Sequence, residues 1–125
     1  MKLLTYSIGL LALASTNAIP AKACESYVAR LSAADHFNSR GERLSSAAAI
    51  IRQDRANFYL FGKRDAEDED DAFFASKDNR ARLEWMLEHG QSSRAVLAEI
   101  VNGTPLIEVT VCQGGGGAYI NVTLK

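Results

Sequence analysis

Hydrophobic positions fall into three regimes along this chain. Residues 3–14 form one compact apolar run, residues 26–101 mix period-two with three-and-four spacing, and from Leu106 onward the alternation is strict. In the middle regime, Ser26-Tyr27-Val28-Ala29-Arg30-Leu31-Ser32 predicts a strand with Tyr27, Ala29 and Leu31 on one face. A polar segment follows, with turn chemistry at Asn38-Ser39 and Gly41. From Arg43 to Phe61 the residues Leu44, Ala47, Ala48, Ile51 and Phe58 make one helical stripe. Gly41 or Ser45 marks its start, and Gly62 stands where a left-handed cap ends a helix.

The connector 63–71 is dominated by acidic residues, a pattern that favours solvent over compaction. Phe73 and Phe74 return the chain to the core. A second helix is expected from an Asp78 cap to His89, burying Leu83, Met86 and Leu87 and closed by Gly90. A third, capped by Ser92 or Ser93, turns Val96, Leu97, Ile100 and Val101 inward and stops at Asn102-Gly103 before Pro105. Residues 106–112 and 118–124 alternate about the glycine run 114–117, which predicts a hairpin. The order β-α-α-α-β-β gives an α+β fold, with a small antiparallel sheet of the N-terminal strand and C-terminal hairpin packed against about three helices.

The first regime changes the picture of the whole chain. Lys2, the apolar run 3–14, a polar stretch with Pro20 and the small-x-small motif Ala21-Lys22-Ala23 read as a signal peptide over residues 1–23, with Ala18 a second candidate cleavage point. The run is too short for a membrane helix, which needs about 20 residues. No later segment is long and apolar enough to span a membrane. Cleavage after Ala23 leaves a single domain, 24–125, exported to the periplasm or the extracellular space. It carries 12 basic and 15 acidic residues, a mild negative balance that argues against a nucleic-acid partner and gives no pull toward an anionic membrane.

Export also decides how the two cysteines are read. An even pair in an oxidising compartment predicts a Cys24–Cys112 disulfide, worth up to about 4 kcal/mol by loop entropy. If the first strand runs antiparallel to 106–112, the two cysteines meet. The rival reading, acylation of Cys24 as a lipoprotein, sits poorly with Ala21 and Lys22 before it.

Candidate chemistry is sparse. Asp65, Glu67 and Glu69 fit the first positions of a calcium loop, but Asp70 and Ser76 occupy the places that require Gly and Glu. Asp35, His36 and Ser39 are the densest group of catalytic residue types, the basis of an alternative reading as a small hydrolase; a local turn held by Asp35 and Asn38 explains them more simply. His89 complements a helix carboxyl end. The glycine run is followed by a strand, so it is not a phosphate loop, and no ligand-spaced His/Cys set suggests a metal; no cofactor is implied. Arg55 interrupts the apolar stripe and is expected to pair with the acidic connector or with Asp35. Trp85 lies off the apolar face of its helix near Arg82, and Trp with Arg is a frequent interface pair. Asn102 and Asn121 open glycosylation sequons, which matter only in a eukaryotic host. These features favour a non-catalytic binding module, with Trp85 and Arg82 contacting another protein or a cell-envelope component.

Overall fold

The computed structural model describes residues 2–5, 9–13 and 23–125. Strand β1 (Ala23–Arg30) pairs antiparallel with β2 (Leu106–Gln113), which pairs antiparallel with β3 (Tyr119–Leu124), so the sheet order is β1-β2-β3. Four α-helices lie between β1 and β2: α1 (Ala47–Ala56), α2 (Lys77–Ala81), α3 (Leu83–Glu88) and α4 (Arg94–Asn102). The expected α+β architecture is therefore what the chain adopts.

Register follows from the alternation. Ala29 faces Ile107, Tyr27 faces Val109 and Val111 faces Ile120, so their side chains share the inner face, where all are essentially inaccessible. Against this face pack Ile50 and Ile51 of α1, Leu83 and Met86 of α3, Ile100 of α4 and the connector residue Phe74. Shifting either pairing by one residue would turn every inner apolar side chain outward. The same register sets Cys24 opposite Cys112 on the outer face, and the two are joined in a disulfide. Its sulfurs leave no thiol for acylation.

Two of the expected helices have other boundaries in the structure. The helix expected from Arg43 begins at Ala47, capped by Ser46, whose Oγ accepts from the Ala49 N–H, rather than by Gly41 or Ser45. Arg43 is instead held in a bridge to Phe37, closing the turn in which the Asn38 side chain accepts from the Arg40 and Glu42 N–H groups. Beyond Ala56 the coil widens to a π-helical turn, Asn57–Phe61, before Gly62 stops it in the left-handed conformation. The helix expected from Asp78 to His89 is two helices: Ser76, not Asp78, caps α2, and at Arg82 the N–H bonds Asn79 O, three residues back. That tightening separates α2 from α3. Ser93 caps α4 as expected.

The acidic connector is not merely solvated. It runs along the outer edge of β1, where Glu69 Oε1 accepts from Val28 N–H, Asp68 Oδ1 accepts from Arg30 N–H, and Glu69 N–H donates to Val28 O. Carboxylates thus satisfy backbone donors that an exposed edge would offer to another chain. The opposite edge is covered in the same manner. Ser92 Oγ accepts from Val122 N–H, and Asn121 Oδ1 accepts from Gln91 N–H.

In the N-terminal segment, Leu3, Leu4, Leu10, Leu11 and Leu13 are all exposed, and the described residues there form no helix or strand. Pro20, Ala18 and the Ala21-Lys22 part of the expected cleavage motif lie outside the described residues. Among the described residues no helix is long and apolar enough to cross a membrane.

Gly90 is where α3 meets the β3 edge: a Cβ there would overlap the Ile120 carbonyl. Because backbone rather than a movable side chain blocks the space, Gly90→Ala should lower stability by about 2–3 kcal/mol, read as a fall in urea midpoint at unchanged m-value.

Candidate binding cleft

Three segments bound a cleft of about 550 Å³ at the disulfide end of the sheet: Glu25 and Gln113 from β1 and β2, Ala72, Phe73, Asn79 and Arg82 from the connector and α2, and the hairpin turn after β2. The volume is that of a small-ligand site. Its polar groups come from elements fixed by the core. Glu25 Oε1 accepts from Phe73 N–H, and Asn79 Nδ2 donates to Phe73 O, which ties the connector to both walls. Arg80, buried at the back of α2, donates through Nη1 to Phe74 O and Ala75 O and fixes the same bend.

Arg82 lies in this cleft wall because the helix breaks there, and its guanidinium has no partner among the described residues. Trp85 is 42% exposed and stacks on His89 with ring centroids 3.7 Å apart. His89 Nδ1 lies 2.8 Å from Trp85 O, a contact that places the imidazole at the carboxyl end of α3. Across the turn, a Cβ at Gly117 would sit 3.4 Å from the edge of the Trp85 ring, so Trp85 forms the outer support of the hairpin turn. Of the two residues expected to share a contact face, Arg82 lines the cleft and Trp85 lies beside Gly117 of its wall. Glu25, Asn79 and Gln113 were not foreseen, because only the strand register and the α2 bend assemble them.

The Asp35–His36–Ser39 group is arranged differently. Asp35 and His36 occupy a buried 3₁₀ turn, Ala33–His36, while Ser39 is exposed on the next turn. Asp35 accepts from Ser32 N–H and Oγ and from Asn57 Nδ2 at 2.8 Å, not from His36. His36 sets Nδ1 2.8 Å from Ser32 O and Nε2 2.8 Å from Ile100 O, so neither nitrogen faces a substrate. The geometry is a folded turn rather than a proton relay. Among the described residues, no three His, Cys, Asp or Glu side chains converge where a metal ion could sit. The calcium-loop candidates are engaged elsewhere: Glu67 pairs with Arg30, and Glu69 caps β1.

Arg55 pairs with the connector as expected, through Asp71 and not Asp35. It is completely buried. Nε donates to Asp54 (2.8 Å), Nη1 donates to Glu69 O and Asp71 Oδ1, and its plane lies 4.1 Å over the Tyr27 ring. Tyr59 Oη also bonds Asp71. Burial works against the Arg55 charge, but Tyr27, Asp54 and Asp71 outweigh it and hold the group above its ordinary value. Burial pushes the Asp54 carboxyl up to about 8, although Arg55 pulls it down. Burial likewise raises Asp35 and Tyr27.

A carboxyl raised in the folded state stays protonated after its unfolded counterpart has ionised. Its contribution to stability is therefore greatest near pH 4 and declines as pH rises toward 8. Asp54→Asn should flatten that decline by about 1–3 kcal/mol between pH 4 and 8, measured as the pH dependence of the urea midpoint. An equal slope in both proteins would assign the decline to other groups.

No protein-family model matches this chain, and neither a curated protein nor a solved structure does.

Proposed function

We propose that this chain is a small exported binding module that contacts another protein or a cell-envelope component in the periplasm or outside the cell, through Trp85 and Arg82. The observation that carries the reading is the placement of the single tryptophan. A ring this large is normally withdrawn into the core; here it is 42% exposed and stacked on His89, beside a cleft with an unpartnered arginine. A rigid aromatic surface loses little conformational entropy on contact, which favours it as an anchor.

Export is supported by the basic residue and apolar run ahead of a small-x-small motif, and by leucines in that run that stay exposed. A disulfide joining the two cysteines fits an oxidising compartment. A module of this kind needs no reaction centre, only a fixed surface, and the Cys24–Cys112 disulfide ties β1 to β2 at this end of the sheet.

Export is tested by the intact mass of the protein recovered from its native cells. The expected mass is that of residues 24–125 less two hydrogens, with both hydrogens returned on reduction; a mass retaining residues 1–23 would remove export from the reading. Binding is tested by affinity capture from envelope extract, comparing the native sequence with Trp85→Ala, Arg82→Ala and a distant control, Arg94→Ala. A partner retained by the control and lost by about tenfold or more in the first two is expected, as for an interface hot spot. Equal recovery by all four would place the contact elsewhere.

A further inference from the structure

We propose that the cleft binds the free C-terminal carboxylate of a peptide, with Arg82 holding the carboxylate and the bare backbone of residues 114–116 lying against the peptide chain. The proposal rests on the binding-module reading and gives its ligand a chemical class.

The first support is the set of donors and acceptors that the cleft leaves open to a ligand. Arg82 and the Gln113 amide are exposed and have no side-chain partner among the described residues, while Glu25 engages one carboxylate oxygen and Asn79 engages only its amide nitrogen. The cleft therefore offers a planar cation with two parallel donors, one further amide and two spare acceptors. A guanidinium fork matches a carboxylate in a two-bond geometry. The spare acceptors, Glu25 on β1 and Asn79 on α2, suit the peptide N–H groups that precede a terminal carboxylate. An isolated inorganic anion would leave them unused.

The second support is the glycine run. Of the four glycines, only Gly117 has a positive φ, at 102°, and only there does an added Cβ meet a neighbour. At Gly114, Gly115 and Gly116 a Cβ would meet nothing within 4 Å. Neither backbone conformation nor packing inside the protein calls for glycine at these three positions. Alanine there would be expected to stabilise the fold by restricting the unfolded chain. A bare backbone bordering a cleft is what close approach by another chain requires, because a Cβ would hold it away from the N–H and C=O groups. Gly114 lines the cleft directly.

The test uses the oxidised protein, with Trp85 fluorescence as the reporter, since the Trp85 ring lies beside Gly117 on the cleft wall, 3.4 Å from where a Cβ would sit. The probe is a randomised pool of N-acetyl tetrapeptides with free C-terminal carboxylates. A saturable change is expected. The C-terminally amidated pool, and the free-acid pool with Arg82→Ala, should each bind about tenfold or more weakly, the effect of losing a charge-assisted hydrogen bond. The triple variant Gly114→Ala, Gly115→Ala, Gly116→Ala should lose about fivefold or more in affinity while its melting temperature stays level or rises. No response to the free-acid pool, an equal response to the amidated pool, or a triple variant that binds as tightly would each overturn the proposal. Equal affinity for glucuronate would also overturn it, showing a site for any carboxylate. If envelope capture still depends on Trp85 and Arg82 while the peptide pool is silent, the module reading stands and the carboxylate chemistry falls.

Discussion

A guanidinium with no solvent exposure sits in the middle of this protein, and the chain around it is arranged to satisfy the charge. Arg55 draws on its neighbour Asp54, on Asp71 and the Glu69 carbonyl from the connector, and on the faces of Tyr27 and Phe58. Removing such a charge from water costs several kcal/mol, recovered only when its partners are held in place. Three parts of the chain that are distant in sequence must therefore arrive together: β1 through Tyr27, α1 through Asp54 and the connector through Asp71. Tyr27 Oη and Arg55 Nη2 are the two buried polar side-chain atoms without a hydrogen-bond partner among the described residues. The guanidinium's position over the phenol ring supplies part of what those hydrogen bonds would have given. A wholly apolar centre of the same volume could be as stable but would not dictate where the connector lies.

The connector, once fixed by Asp71, can do two further things. Its carboxylates close the β1 edge at Val28 and Arg30, and its next residues, Ala72 and Phe73, form one wall of the cleft. The buried ion pair, the protected edge and the cleft are thus parts of one arrangement. Of the connector carboxylates, Asp71 anchors the core, Asp68 and Glu69 complete the sheet edge, and Asp65 precedes them in the turn that Asp68 closes.

Much of the architecture was legible in the residues because it rests on period-two alternation, which is local and strong. The alternation of 26–32 and 106–112 was enough to bring Cys24 to Cys112. The features that escaped depend on partners far along the chain. Arg43 was read into a helix because its spacing suits one, yet Phe37 claims it first. The run at 63–71 looked like a solvated linker because a string of like charges reveals nothing of the N–H donors waiting on β1. Arg82 and Trp85 stand out in the sequence by residue type and spacing, but Glu25 and Gln113 reach the cleft that Arg82 lines only through the β1–β2 register. The glycine run announces a turn, yet of its four glycines only Gly117 has a positive φ.

The disulfide joins residues 88 positions apart, and β1 pairs with β2 alone. This connectivity has a consequence in time as well as in space. A chain that emerges amino end first presents β1 long before β2 exists, and during that interval the strand has no partner in its own sheet. Contacts of such long sequence separation slow folding, because loop-closure entropy must be met before they form. The sheet can close only once β2 has been delivered.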